Sequence, residues 1–379
     1  MVDVQGTSAA RFDAVRTLLA ENLASGAELG ASLVVDLDGE LVVDLWGGFR
    51  DRDRTVAWDE HTIVNVWSST KAVTSLAALI LVDRGELDIH APVARYWPEF
   101  AANGKQDVEV RHLLSHTSGV SALEQPVTMA DLYDWDAAIA RIAAQAPWWP
   151  PGSASGYHSV IFGHLVGEVV RRVSGTSLKR FVAEEIAGPL GADFQIGAAE
   201  QDWARVAEVV PPPPMSLDFG AWGADSVALK TFTGPGMHAA VANTEDWRRA
   251  DLGGVNGHGN ARSLARVLSP LARGGEVDGV RLLGPATIDL VFAEQAAGVD
   301  LVLGVPLRWG IGYGLPQRDT VPWLPDGRIC FWGGWGGSLI IMDPERRLTI
   351  SYVMNRMGNG VIGSDRSAGY VRAVYDALS

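Results

Sequence analysis

Strand-forming segments lie near the two ends of this chain, and the long middle has the pattern of helices and loops. Near the start, the apolar runs Ala31–Leu37 and Glu40–Leu45 are joined by an Asp-Gly pair, a strong signal for a β-hairpin. Strand-like runs return near the end, at Arg328–Phe331, Ser338–Met342 and Leu348–Met354. If these distant segments pair, they form one antiparallel sheet interrupted by a helical insertion, so we expect an α+β fold.

Apolar residues at helical spacing, with glycine or a turn close behind, predict the main helices. The predicted helices are Arg11–Leu23, Ser68–Asp83, Val160–Val173 and Ser367–Leu378. Between about residues 86 and 300 we expect helices and long loops and find no internal repeat.

The chain has 379 residues, enough for one large domain or two closely associated ones. We expect a sheet domain from residues 1–67 and 305–379, and a mainly helical domain from residues 68–304. Pro211–Pro214 is predicted to be a stiff extended turn. Two separate domains are the alternative, which the absence of a flexible linker makes less favoured.

Composition excludes several classes of partner. The formal net charge of −14 would repel a phosphate backbone, which argues against nucleic acids and anionic membranes. The apolar stretch Ala72–Val82 is too short to span a bilayer. Cys330 is the single cysteine, so no internal disulfide forms, and the first residues lack the basic and apolar regions of a signal peptide. We therefore expect a cytoplasmic protein.

A serine and a lysine three residues apart, Ser68 and Lys71, begin one of the predicted helices (SSTK). On a helix this spacing places both side chains on one face, about 5–6 Å apart at Cβ. The helix N-terminus favours negative charge, which would stabilise a serine alkoxide and disfavour a protonated lysine. The pair is a candidate nucleophile and base, although a serine at this position is more commonly only a helix cap.

A tyrosine follows a rigid turn in the segment Tyr157–Ser159 (YHS). The preceding segment Pro150–Gly156 begins with two prolines and continues with small residues, so it could present the phenol to a cleft. The alternative is a tyrosine that packs beneath a loop.

Glycines cluster at the start of a late strand, in the segment Trp332–Ser338 (WGGWGGS). Glycine leaves the backbone bare, so a ligand can approach its N–H groups directly. The alternative is a bulge or a twisted edge strand.

The order of these three motifs resembles that of the serine β-lactamase and DD-peptidase superfamily, which uses S-x-x-K, then S-D-N or Y-x-N, then K-T-G. His112–Gly119 (HLLSHTSG) is similar to the LLxHTSG turn of that superfamily. Gly85–Asp88, Ala91–Val93 and Trp97-Pro98 resemble the stretch after its nucleophile helix. The resemblance covers roughly residues 10–378. It is strongest to the class C-like branch, especially the β-lactamase-related family VIII carboxylesterases.

The resemblance implies a β-lactamase/transpeptidase-like fold, with an antiparallel sheet built from both chain ends and flanked by helices. A largely helical inserted domain would place the active site at the interface between the two domains. Ser68 would be the nucleophile, and Lys71 and Tyr157 would share the role of general base. Tyr157 would later return the proton to the leaving group. The backbone N–H groups of Ser68 and Trp335 would form the oxyanion hole.

The chain departs from the β-lactamase pattern at two places that we assign to substrate binding. Ser159 stands where those enzymes usually have asparagine, and Trp332, Gly333 and Gly334 stand where they have Lys-Thr-Gly. The missing lysine would otherwise attract the carboxylate of penicillins and cephalosporins, and an apolar wall is expected in its place. We therefore expect uncharged esters as substrates.

The favoured function is hydrolysis of short-chain carboxylic esters through an acyl-enzyme on Ser68. The alternatives are a β-lactamase, a DD-peptidase, an amide hydrolase or an acyltransferase that uses the same residues. A non-catalytic ligand-binding homologue is least favoured. The chain lacks G-x-S-x-G and H-E-x-x-H, which argues against an α/β-hydrolase and a zincin. We expect no metal or organic cofactor, a small-molecule ester as partner, a monomer or homodimer, and structural roles for His116 and His158.

Overall fold

The computed structural model describes residues 3–213, 223 and 225–379. The strands are β1 Gln5–Ser8, β2 Gly30–Leu37, β3 Glu40–Gly48, β4 Val64–Asn65, β5 Gln195–Ile196, β6 Gly257–Gly259, β7 Glu276–Val277, β8 Val280–Arg281, β9 Ala296–Val299, β10 Pro306–Trp309, β11 Gly314–Leu315, β12 Cys330–Gly333, β13 Leu339–Asp343 and β14 Leu348–Met354. The helices are α1 Asp13–Ser25, α2 Thr70–Asp83, α3 Val110–Leu114, α4 Met129–Tyr133, α5 Trp135–Ala144, α6 Phe162–Ser174, α7 Leu178–Phe181, α8 Gly188–Leu190, α9 Val227–Thr233, α10 Glu245–Arg249, α11 Ala261–Ala272, α12 Pro285–Val291 and α13 Asp365–Ala377.

Within the described residues, a nine-stranded antiparallel sheet has the spatial order β1-β3-β2-β14-β13-β12-β11-β10-β9. The hairpin of β2 and β3 turns at Asp38 and Gly39, both with positive φ, as a two-residue hairpin turn of this kind requires. β2 then pairs with β14, with Leu33 opposite Tyr352. The two ends of the chain therefore share one sheet, and the predicted α+β architecture is confirmed.

Helices cover both faces of this sheet. Side chains of successive strand residues point to opposite faces. On β14, Ile350 and Tyr352 pack into a core with α1 and α13, whereas Val353 packs into the core that contains α2 and α11. The fold therefore has three layers: α1 and α13 on one face, the sheet in the middle, and the helical region with α2 and α11 on the other face. The nucleophile motif lies in this helical region.

The predicted helices form, with ends shifted by local interactions. α1 and α6 each end at a glycine in the left-handed conformation, Gly26 and Gly175. α13 begins two residues before the predicted start because Ser364 and Ser367 form a capping box. The helix predicted from Ser68 begins at Thr70, and Ser68 lies in the turn before it.

Several short strands lie outside the predicted ones. β4, β6 and β5 form a three-stranded sheet, and β9, β10 and β11 extend the large sheet beyond β12. Segments of two to four residues are too short to show a clear alternation, so the sequence did not predict them. Of these strands, β5, β6 and β9 lie within residues 86–300, where only helices and loops were expected.

The predicted domain division stays a prediction, with residues 1–67 and 305–379 in the sheet domain and residues 68–304 in the helical domain. The strand β9 lies before residue 305 but belongs to the large sheet. Of the predicted turn Pro211–Pro214, the last residue lies outside the described residues. No helix in the described part of the chain combines the length and apolar character needed to cross a membrane.

Candidate active site

A sharp turn between β4 and α2 presents Ser68. The residue before it, Trp67, has a φ of 50°, which is uncommon and unfavourable for a residue with a side chain. The Trp67 ring is buried and packs against Trp247 and Trp335, with ring centroids 5.5 and 5.2 Å apart. This packing holds the turn, and the Ser68 side chain lines a cavity.

Lys71 is 2% exposed and lies one turn along from Ser68. Its Nζ atom is 3.0 Å from the Ser68 Oγ, 2.6 Å from the Ser159 carbonyl oxygen and 2.7 Å from the Gly254 carbonyl oxygen. Burial lowers the pKa of Lys71 well below its usual 10.5. A neutral amine has two N–H bonds and one lone pair. If the two carbonyls accept the N–H bonds, the lone pair faces the serine hydroxyl.

Tyr157 contacts the same hydroxyl. Its phenol hydrogen-bonds with Ser68, and the Trp332 Nε1 donates to the Tyr157 oxygen at 3.2 Å. The Tyr157 ring stacks on Trp309, with an interplanar angle of 10°. Burial raises the pKa of Tyr157 well above its usual value, so the phenol keeps its proton at neutral pH.

Two backbone N–H groups belong to residues that line the cavity at the nucleophile. Those of Ser68 and Trp335 donate no hydrogen bond to another described residue, and both residues line the cavity. Trp335 belongs to the glycine-rich loop between β12 and β13, which is held by the bond from the Gly334 N–H to the Ser338 carbonyl. The Arg366 side chain also donates to the carbonyl of Gly336, at 3.3 Å. The loop is therefore fixed from both sides.

The cavity in front of Ser68 has a volume of about 350 Å³, within the range of small-molecule sites. Its lining is mostly apolar, and none of the described lining residues carries a formal charge. The residues that line it are Trp67, Ser68, Tyr157, Ser159, Val160, Thr231, Phe232, Pro235, Met237, Val255, Val302, Leu303, Trp335, Asn359 and Val361.

Five of the predicted site residues come together at the cavity: Ser68, Lys71, Tyr157, Ser159 and Trp335. Trp332 is placed differently from the expected cavity wall. It is 1% exposed, its ring centroid is 4.5 Å from that of Trp309, and it contacts the site through its hydrogen bond to Tyr157. The apolar surface comes instead from other residues of the cavity.

Gly333 and Gly334 lie at the end of β12 and are not among the described cavity-lining residues. A Cβ on Gly334 would clash with the carbonyl oxygen of Val66. The glycine is therefore required by close approach of the chain that leads to Ser68.

Two buried histidines support the tyrosine loop. The His158 N–H donates to the His116 Nδ1 at 3.0 Å, and the His158 ring bonds with Ser118 and the Gly156 carbonyl. Burial lowers the pKa of both imidazoles, that of His158 to about 3. Both rings are therefore neutral at physiological pH, and neither hydrogen-bonds to the Tyr157 phenol.

Sequence reasoning missed two groups of this site. The carbonyl of Gly254 accepts from Lys71, and the carboxyl of Asp300 accepts the backbone N–H of Tyr157 at 3.0 Å. A backbone carbonyl has no signature in a sequence. Asp300 lies outside the three motifs, so neither group could be found from them.

The geometry agrees with what similarity to known proteins shows. A model of the Beta-lactamase family matches residues 15–373. The chain belongs to the β-lactamase family. A crystal structure of a family VIII carboxylesterase is 40% identical, with a TM-score of 0.93 over 99% of this chain and 100% of that one.

Two further proteins are similar to this member of the β-lactamase family along most of its length. A penicillin-binding protein homologue from Caulobacter crescentus is 39% identical, with a TM-score of 0.92 over 99% of this chain and 100% of that one. The esterase/β-lactamase LipL of Mycobacterium tuberculosis is 35% identical over 353 residues, which are 90% of this chain and 80% of that protein. The resemblance and the β-lactamase/transpeptidase-like fold are confirmed, and the chain is an enzyme of the serine carboxylesterase type within this superfamily.

Proposed function

We propose that this enzyme hydrolyses short-chain carboxylic esters through an acyl-enzyme on Ser68. The observation that carries the proposal is the environment of the Lys71 amine. Two carbonyls surround it, burial disfavours its protonated form, and it lies 3.0 Å from the Ser68 Oγ. Such an amine can accept the proton that the serine must lose to attack an ester.

In the acylation step, the Ser68 oxygen attacks the ester carbonyl carbon while its proton passes to the Lys71 amine. The negative charge that develops on the carbonyl oxygen would be stabilised by the N–H groups of Ser68 and Trp335. The C–O bond to the alcohol then breaks, and the leaving oxygen takes a proton from the Tyr157 phenol. The protonated Lys71 then gives its proton to the Tyr157 oxygen, which leaves the acyl group on Ser68 and the free alcohol.

In the deacylation step, water replaces the alcohol. The neutral amine accepts a proton from the water as the water oxygen attacks the acyl carbon, and the same two N–H groups stabilise the oxyanion. When the bond to the Ser68 oxygen breaks, that oxygen takes back the proton from Lys71, and the carboxylic acid leaves. The high pKa of Tyr157 favours a role as proton donor and leaves the role of base to Lys71.

The cavity supports an uncharged acyl group as the preferred substrate. A carboxylate placed against its apolar lining would lose hydration without gaining a cationic partner among the described lining residues. A short acyl chain instead gains from burial against side chains such as Val160 and Val302.

A cytoplasmic monomer or homodimer is part of the same proposal. The single cysteine, Cys330, is buried, which fits a reducing compartment.

The experiment that tests this function compares Ser68→Ala with Ser69→Ala. Ser69 neighbours Ser68, but its hydroxyl is fully buried and bonds with the Ser338 hydroxyl at 3.1 Å. We expect Ser68→Ala to lose both p-nitrophenyl butyrate hydrolysis and the acyl adduct seen by intact-protein mass spectrometry. Ser69→Ala should keep both. Wild-type turnover by Ser68→Ala would refute the proposal.

A further inference from the structure

Asp300 accepts an unusual set of backbone hydrogen bonds, one of them from Tyr157. One of its oxygens, Oδ1, accepts three backbone N–H bonds, from Tyr157 at 3.0 Å, Val302 at 2.9 Å and Leu303 at 3.0 Å. One atom therefore joins two segments that are 143 residues apart along the chain.

The second segment forms part of the cavity wall. Val302 and Leu303, whose N–H groups bind Asp300, both line the cavity in front of Ser68. The loop closes on itself through the bond from the Asp300 N–H to the Val305 carbonyl at 3.0 Å. A separate bond, from the Leu301 N–H to the Ser155 carbonyl at 2.8 Å, links the loop to the segment that precedes Tyr157. The wall and the tyrosine are thus attached to the same carboxyl group.

Within the described part of the chain, only one of the two Asp300 carboxyl oxygens has hydrogen-bond partners. The residue is fully buried, and its second oxygen, Oδ2, has no hydrogen-bond partner among the described residues. It forms no ion pair within the part of the chain that the structure describes. A buried carboxyl oxygen without a hydrogen-bond partner costs free energy, so its presence beside a reactive tyrosine points to function.

We propose that Asp300 is a positioning residue that holds the Tyr157 phenol and the Val302–Leu303 wall in register, so that proton transfer depends on the fit of the acyl group. The proposal rests on the ester hydrolysis proposed above. The Tyr157 ring is already stacked on Trp309, and Asp300 fixes the backbone from which that ring projects. A shift of the backbone would move the phenol away from Ser68.

The test compares Asp300→Asn with Asp300→Leu in the full chain. The asparagine carbonyl can accept the same three N–H bonds, whereas leucine has a similar size and no acceptor. Rates are expressed per serine titrated with a fluorophosphonate, so that loss of folded protein does not count as loss of rate. Values of kcat and KM are measured with p-nitrophenyl acetate and p-nitrophenyl butyrate.

We expect Asp300→Leu to lower kcat about 10- to 100-fold, the effect of misplacing a catalytic group by about 1 Å. Its KM for the butyrate should rise more than its KM for the acetate, because the longer chain reaches further along the wall. Asp300→Asn should stay within about threefold of the wild type. Equal losses in the two variants, or equal KM changes for the two esters, would overturn the proposal.

A matched control is Asp343→Leu. Asp343 is also fully buried, but it binds Arg346 and Tyr375 at the end of β13. We expect a lower Tm with an unchanged kcat per titrated serine. A kcat loss equal to that of Asp300→Leu would mean that any buried carboxyl has this effect, and would overturn the positioning role.

The rate of fluorophosphonate labelling separates this proposal from the proposed function. If the wild type labels at Ser68 but hydrolyses neither ester, the ester function fails. Slower labelling of Asp300→Leu, restored in Asp300→Asn, would then still support positioning.

Discussion

Removing Lys71 and Tyr157 singly and together tests the proposed proton path most directly. Both groups contact one hydroxyl: the Lys71 Nζ is 3.0 Å from the Ser68 Oγ, and the Tyr157 phenol hydrogen-bonds with it. The variants are Lys71→Ala, Tyr157→Phe and the double variant. Because one proton is transferred through both groups, the second substitution should remove little that the first has left.

The expected size of the effect follows from this geometry. Loss of general acid–base help lowers a rate by about 10²- to 10⁴-fold, which corresponds to about 3–5 kcal/mol in the barrier. Two independent losses of about 10³-fold would multiply to about 10⁶-fold. We expect the double variant to lose no more than about 10⁴-fold, which gives a coupling energy of at least about 2.7 kcal/mol.

The pH dependence identifies which group is the base. Burial lowers the pKa of Lys71, so its neutral form appears below pH 10.5. In the wild type, kcat/KM should rise with pH through the pKa of Lys71 and level off before pH 10.5. Tyr157→Phe should keep this limb and Lys71→Ala should lose it. Between the two pKa values the folded state binds fewer protons than the unfolded state, so the free energy of unfolding also rises with pH across that window.

The assay is p-nitrophenyl butyrate hydrolysis across a pH series, with active serines titrated in each variant. Circular dichroism melts show whether each variant is folded. Fully multiplicative losses in the double variant would refute the shared path. An acid limb that persists in Lys71→Ala would refute the assignment of the base.

Three further predictions concern the surroundings of the site. Trp332→Phe removes the N–H donor to the Tyr157 oxygen, and such a hydrogen bond is worth about 0.5–1.5 kcal/mol. The variant should therefore lower kcat about 2- to 12-fold with little change in Tm. An unchanged kcat would show that the donor is not used. The wild type should favour p-nitrophenyl butyrate over a cephalosporin in kcat/KM by about 10- to 150-fold, since no described cavity residue offers the carboxylate a charge-assisted bond; preference for the cephalosporin would contradict this. Arg366→Met leaves the fully buried Glu28 without its cation and should lower the free energy of unfolding by about 3–5 kcal/mol in a urea titration; it should also lower kcat by freeing the loop at Gly336.

The sequence by itself determined the elements whose signals are local. The seven residues of β14 were predicted with the bounds that the structure shows, because β-branched and apolar residues end at polar ones on both sides. The hairpin of β2 and β3 followed from Asp38-Gly39, where both residues have the positive φ that this pair tolerates. The S-x-x-K spacing placed Ser68 and Lys71 together for a similar reason, since one helical turn joins them.

Tertiary structure alone decided the environment of those groups. The Gly254 carbonyl that accepts from Lys71 is 183 residues away along the chain, and the Asp300 carboxyl that holds Tyr157 is 143 residues away. The expected wall at Trp332 stays a prediction: its indole donates to the Tyr157 oxygen, and Trp332 is not among the described residues that line the cavity. Such contacts depend on how helices and sheet pack in three dimensions, and local spacing contains no information about that packing.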